Sequence, residues 1–319
     1  MRRWKLFWEK IRGRADLRAI FKTGAWSFFI VLGTGLAIKF FVIDAVKING
    51  AQMEPAVMSG DRLLIFKTPY ITPGIRNGFI RPEKTVVAAF PDRSANTILR
   101  IAATSGDIIS IDEGQFYRNG QPIEKFHKDT EAFSIIPAEY SPADFMPPFK
   151  LPESGDSITF ADLDMRDFIF AYSILRQEKS KIRIKPFIVR DSSVIDDYEI
   201  SDFALYSGPV SEIPDSLSAD WFFWDRLQEF FKITAGDEKS AQIAFSVFKG
   251  NREVTGFRVK KQYVFLIGDN WNGAKDSRYF GPVVISNIQG SAFLALWGSR
   301  VDDEGKRRWD WGRVFRLIK

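Results

Sequence analysis

Cysteine is absent from this 319-residue chain, and histidine occurs once, at His127. The first absence excludes a disulfide framework, a thiolate metal site and a cysteine nucleophile. The second excludes a histidine zinc cluster and leaves a histidine-dependent triad only one candidate for its base. Missing too are an internal repeat, a low-complexity tract, a glycine-rich phosphate loop and a paired-carboxylate motif, so neither a metal nor a cofactor is expected. What is present is core-forming material: 45% of residues are hydrophobic and 15% aromatic, enough for one or two folded domains.

The net charge of +5 is unevenly placed. Residues 1–22 hold eight basic residues against Glu9 and Asp16, a local balance of +6, so the other 297 residues carry −1. A nucleic-acid-binding body would hold its own positive charge, which argues against nucleic acid as a partner and for a basic flank beside a membrane. Residues 23–43, TGAWSFFIVLGTGLAIKFFVI, are apolar except for Lys39. At about 1.5 Å per residue they cross a hydrocarbon core of about 30 Å. The long basic region and the lack of a small-x-small cleavage pattern favour an uncleaved anchor over a signal peptide. Basic residues before the span keep the N-terminus in the cytoplasm and export the rest. The expectation is a single-pass protein of the cytoplasmic (inner) membrane, with the lipid bilayer as its first partner and its C-terminal domain outside.

The exported part opens with short strand patterns at 46–48, 62–67, 85–90, 97–103, 107–111 and 115–118. Asn119-Gly120 predicts a type I′ hairpin turn, which needs positive φ at both central positions. Residues 127–152 are rich in proline and polar side chains and read as a long connection. Asp162 is a candidate cap for a helix carrying Met165, Phe168, Ile169, Tyr172 and Leu175 at helical spacing. A second helix from Ser218 or Asp220 to Lys232 carries Trp221, Phe222, Phe223, Trp224, Leu227, Phe230 and Phe231 on more than one face. Such a helix either lies in a core or seats at a membrane interface, and its aromatic density predicts membrane or partner contact. Strand patterns return at 242–248, 257–260, 263–267 and 291–297.

Three blocks carry the chemistry: INGAQMEPAVMSGDRLLIFKTPY at 48–70, TILRIAATSGD at 97–107 and GDNWNGAKDSRYFG at 268–281. With the basic tail and single span, they resemble the bacterial type I signal peptidases, membrane-bound serine peptidases that remove signal peptides from exported proteins. The family's G-x-S-M-x-P-T-L-x-x-G-D maps onto Gly50, Gln52, Met53, Pro55, Ala56, Val57, Gly60 and Asp61. Its Lys-Arg followed by Gly-Asp maps onto Leu99, Arg100, Gly106 and Asp107. Its G-D-N-R-x-N-S-x-D-S-R keeps Gly268, Asp269, Asn270, Asp276, Ser277 and Arg278 and loses its pattern at Trp271, Gly273 and Ala274. The segment 147–160 resembles part of the insertion of long members, and RRWDWGRVFRLIK resembles their C-terminal end. The resemblance implies a mainly β fold with an α-containing insertion. Its parts are a basic tail at 1–22, a transmembrane helix at 23–45, a β core from 46–123 and 255–319, and the insertion at 124–254.

The family cleaves with a serine nucleophile whose proton goes to a neutral lysine, kept neutral by apolar burial. Gln52 stands at the nucleophile position, where an amide forms no acyl intermediate, and Leu99 at the base position has no titratable group. Met53 and Pro55 fix the first alignment, and Arg100 with Gly106-Asp107 fixes the second. No catalytic residue is expected, and the protein reads as a pseudoenzyme of the secretion machinery. Gly50, Ala51, Gln52, Met53, Pro55, Leu99 and Ser277 are candidates to line a peptide cleft. Asp61, Arg100, Asp107, Asp269, Asp276 and Arg278 are candidates for structural support. In the resemblance, Ser277 stands for the hydroxyl that orients the lysine, and Asp276 with Arg278 for an ion pair beside the site. The family's cleft takes substrate as an added strand, which needs neither serine nor lysine. Signal peptides, preproteins or an envelope protein partner are the expected ligands. Two alternatives stand beside this: an active peptidase with a relocated dyad drawn from Ser59, Ser105 and Lys67, and a structural subunit of a secretion or envelope complex. His127 reads as a solvated loop residue.

Overall fold

The computed structural model describes residues 17–90, 96–127, 141–161, 163–178, 181–190, 193–195, 198–235, 242–301 and 307–318. Asp162 and residues 1–16 of the basic tail lie outside the described residues. The helix Leu17–Ala37 continues through a π-helical turn, Ile38–Val42. Within it, Lys22–Val42 is long and apolar enough to cross a membrane, and the protein covers none of it. Strand β1 (Ile43–Lys47) follows at once, because Ile43 is already extended at φ −131° and ψ 141° and pairs with Phe66. Strand pairing therefore begins at Ile43, directly after the π-helical turn.

The other strands are β2 (Arg62–Phe66), β3 (Thr85–Ala88), β4 (Thr97–Thr104), β5 (Ile108–Asp112), β6 (Gln115–Arg118), β7 (Gln121–His127), β8 (Met146–Lys150) and β9 (Ser157–Thr159). The insertion adds β10 (Ile182–Arg190), β11 (Ser193–Ile195), β12 (Glu199–Ile200), β13 (Gly208–Pro209), β14 (Gln242–Lys249) and β15 (Arg252–Glu253). The chain closes with β16 (Gly256–Arg258), β17 (Tyr263–Ile267), β18 (Val283–Val284), β19 (Ile288–Val301), β20 (Arg307–Asp310) and β21 (Arg316–Leu317). The fold is mainly β.

The central sheet runs β1-β2-β19-β3-β4-β17-β18, with β20 and β21 also paired to β19. Shifts of register within β19 let this long strand bend past several partners. β4 is buried from Thr97 to Ala103 because both its faces are covered. Ile98 packs with Met53, Val57, Leu63 and Val87 on one side, while Leu99 and Ile101 pack with Tyr70, Val86, Val264 and Leu266. Beside this sheet stands a second, β7-β6-β5-β8, in which Asn119 and Gly120 take φ +53° and +75° between β6 and β7, as the hairpin signal required. The proline-rich stretch is only partly a connection. Pro147 and Pro148 lie in β8, the outermost strand of that sheet, where a missing N–H is tolerated.

In the insertion, the sheet β11-β10-β14-β15 carries the helices Met165–Glu178 and Trp221–Ala235. The expectation that the aromatic helix meets a membrane or partner is corrected here. Trp221, Phe223, Trp224, Leu227 and Phe231 are buried, and Phe222 and Phe230 are half-buried against the same core. More than one face is apolar because more than one face meets protein: Trp224 packs 4.9 Å from Phe245, Phe223 6.0 Å from Phe203, and Phe231 5.4 Å from Tyr198. The insertion shares this core with Ile109, Phe116 and Phe265 of β5, β6 and β17.

Candidate functional site

The loop between β1 and β2 is closed by two backbone hydrogen bonds, from the Ile48 N–H to Asp61 O at 2.9 Å and from the Gly60 N–H to Ile48 O at 2.8 Å. Met53 and Val57 are its buried plugs, so the residue before Met53 has little freedom. That residue is Gln52. Its carbonyl accepts from the Asn270 N–H at 3.0 Å, and Asn270 Nδ2 donates to Ala51 O at 3.0 Å. The approach is so close that a Cβ on Gly268 would lie 2.3 Å from Gln52 O and 2.5 Å from Ala274 Cβ. Glycine at 268 is therefore a packing requirement. The Gln52 side chain folds back over Gly50, which takes φ +110°, and Oε1 sits 2.7 Å from where a Gly50 Cβ would stand. Pro55 is exposed on the same loop.

Leu99 is fully buried among Tyr70, Val86, Ala88, Phe90, Ile101, Val264, Leu266, Val283 and Ile288. Tyr70, the titratable member of this group, has its phenol pushed up by burial. The surroundings that would hold a lysine neutral are thus present, and the amine is not. Ser277 is also fully buried, and its Oγ accepts from the Leu266 N–H at 3.0 Å. It clamps the end of β17 to the short helix Ser277–Phe280, a backbone role that depends on no lysine.

The support residues form three buried ion pairs or caps. Arg100 donates from Nε and Nη2 to the two oxygens of Asp269 at 2.8 and 2.6 Å, and from Nη1 to Glu83 O at 2.7 Å. Asp276 accepts from the Gly268 N–H at 3.0 Å and from Arg278 Nε and Nη2, each at 2.9 Å. Asp61 receives the Arg313 guanidinium from the C-terminal segment, with Nε at 3.1 Å from both oxygens. Asp107 has a local task, accepting from the Thr104 N–H at 2.8 Å and Asn119 Nδ2 at 2.7 Å. The structure thus brings together Gly50 to Met53, Asp269, Asn270, Asp276 and Arg278, with Arg100 and Leu99 on the adjoining strand.

Trp271, a departure from the family pattern, is a joint. Its Nε1 donates to Ala143 O at 2.7 Å, and the Arg278 guanidinium lies 4.4 Å from its ring centre. Lys125 on β7 is an exposed residue. The Arg100, Asp269 and Glu83 charges act on it, and its ammonium is held below the usual lysine value by desolvation first and by Arg100 second. The candidates for a relocated dyad are engaged elsewhere. Ser59 Oγ accepts from the Gly50 N–H at 3.3 Å, Ser105 Oγ accepts from the Tyr263 N–H at 2.7 Å, and Lys67 Nζ is 3.2 Å from Asp44. His127 is exposed at the end of β7, with Nδ1 2.6 Å from Glu124 O.

The family model for signal peptidase, peptidase S26, matches residues 21–163 and 212–297. The chain belongs to the S26 signal peptidase family. It is 29% identical over 128 residues to a probable signal peptidase I-1 from Synechocystis sp., a match covering 39% of this chain and 60% of that protein. It is 23% identical over 299 residues to signal peptidase I from Buchnera aphidicola, covering 92% of this chain and 81% of that protein. A shorter match, 49% over 39 residues, reaches a mitochondrial ATP-independent inner membrane protease subunit 1a from Arabidopsis thaliana, covering 12% of this chain and 23% of that protein. Both Gln52 and Leu99 lie within the matched residues 21–163.

Proposed function

We propose that this S26 chain has kept the family's fold and peptide cleft and does not cleave. The observation that carries the reading is Leu99, sealed in an apolar cluster beside a loop whose nucleophile position is Gln52. In well-studied serine proteases, losing one member of a nucleophile and base unit costs about a million-fold in rate, and losing both costs little more. Binding has no such dependence. β17 ends opposite Arg100, so among the described residues Thr97 to Leu99 have no strand on that side. An extended peptide adding there would lie next to the Gln52 loop, held by main-chain pairing, once whatever buries Thr97, Ile98 and Leu99 has moved aside. The ligand class is a signal peptide, a preprotein or an envelope protein with an extended segment. The protein works from the inner membrane with its body outside the cytoplasm. The engagement of Ser59, Ser105 and Lys67 counts against a relocated dyad, and burial of most of the aromatic helix counts against a structural subunit that works through it.

The test incubates wild type, Gln52→Ser, Leu99→Lys and the double variant with a preprotein in detergent and follows the mature product by mass spectrometry. Wild type and both single variants are expected to release none while the wild type still binds the preprotein. Specific cleavage by wild type that is lost on Ser59→Ala or Ser105→Ala would overturn the reading.

A further inference from the structure

The residues after β2 leave the sheet at the level where the span ends. The Lys67 N–H donates to Val42 O at 2.8 Å, Thr68 Oγ1 donates to Phe41 O at 2.7 Å, and Lys67 Nζ pairs with Asp44. From this joint two short helices run out, Thr68–Ile71 and Pro73–Phe79. Their inner side is fastened to the body. Tyr70 is buried in the cluster around Leu99, and Arg76 Nε donates to Tyr70 O, tying the second helix to the first. Their outer side is apolar and bare: Ile71 is 41% exposed, Ile75 48% and Phe79 37%. Ile75 and Phe79 lie four apart on one helix, so they share a face. Between Lys67 and Lys84 the chain has Arg76 and Arg81 as further cations and Glu83 as its one acid. Lys84 Nζ lies 5.7 Å from the Phe79 ring centre, which places a cation beside the apolar face.

We infer that this helical pair is a second membrane contact, with Ile71, Ile75 and Phe79 immersed in the leaflet at which the span ends and Arg81 and Lys84 among its anionic headgroups. Two observations choose lipid as the occupant. The pair is hydrogen-bonded to the last residues of the span, so once the span crosses a bilayer the pair has nowhere to be except near its surface. The combination of an apolar face with a cationic rim is what an interfacial helix presents to anionic lipid. The inference rests on the reading of residues 22–42 as a transmembrane anchor. Its consequence is that the sheet carrying Gln52 and Leu99 is held at two points rather than one, which fixes its tilt above the lipid.

Because the chain has no cysteine, a single introduced thiol takes a fluorescent label at one place only. Full-length Ile71→Cys and Ile75→Cys, each labelled with an environment-sensitive dye, are reconstituted in phosphatidylcholine vesicles with and without phosphatidylglycerol. Labelled Ile30→Cys, within the span, is the reference. Both test labels are expected to lose intensity to phospholipids brominated near the glycerol backbone and to be shielded from iodide in the water. Their blue shift is expected to be larger when phosphatidylglycerol is present. Quenching of both by iodide and by no bromolipid, in samples where position 30 is quenched by bromolipid, overturns the inference while leaving the anchor intact. A position 30 label untouched by phospholipids brominated deep in the acyl chain overturns the anchor, and this inference with it. Equal blue shifts in the two lipid mixtures overturn the role given to Arg81 and Lys84.

Discussion

Leu99 and Asp220 show how the same burial acts on different chemistry. At Leu99 burial is simply favourable, worth about 1.5–3 kcal/mol for a side chain of this size. At Asp220 it is opposed by charge. This residue begins the aromatic helix, its Oδ1 accepting from the Phe222 N–H at 3.0 Å, while Lys275 Nζ lies 3.6 Å from Oδ2. Burial pushes its carboxyl above the ordinary 3.8, and Lys275 and the helix N–H groups only partly offset this. A carboxyl with a raised folded value binds its proton more tightly when folded. Its contribution is fully present below the unfolded value and is lost as pH rises through the folded one. Asp220→Asn keeps a capping oxygen and removes the titration. The variant is expected to gain stability relative to wild type at pH 7 and to lose that advantage as pH falls toward 4, measured by urea unfolding at both pH values. A difference between the two proteins that is independent of pH would contradict this account.

At the scale of elements, the aromatic helix Trp221–Ala235 is a core member. Trp224→Ala is expected to cost about 3–5 kcal/mol, a magnitude typical of emptying a large buried site. Denaturant unfolding of the full chain in detergent checks it, and a loss below about 1 kcal/mol would return the helix to the surface. The sequence alone revealed seven aromatic and aliphatic positions here but not what covered them, because Phe203, Tyr198 and Phe245 come from elsewhere in the insertion. Loops and strands that carry the family's motifs were legible for a better reason. Gly268 must touch Gln52, Met53 must plug the loop, and Asn119-Gly120 must turn, so each requirement is written as a residue type. Elements with mixed polarity were not legible. β7 is exposed at most of its positions, β8 holds two prolines, and β10 holds Pro186 opposite Phe245, so none displays a clean strand pattern. The bond from Trp271 to Ala143 joins residues no spacing rule connects.

For the whole molecule, the basic flank predicts which side of the membrane the body faces. Protease added outside spheroplasts is expected to digest the body and spare the span, and a cytoplasmic signal from a C-terminal reporter would contradict it. The strand order also carries a timetable. β2 lies between β1 and β19, and Asp61 meets Arg313, so the first strands to be made are completed by the last. About 220 residues separate the end of β2 from the start of β19, and at about 5–20 residues per second their synthesis takes roughly 10 to 45 seconds. Through that interval β2 has a neighbour on one side only, and its other edge is an open template for any extended chain nearby. A newborn copy thus waits, half paired, with that edge open to the polypeptides around it. Its own tail must reach that edge before one of them does.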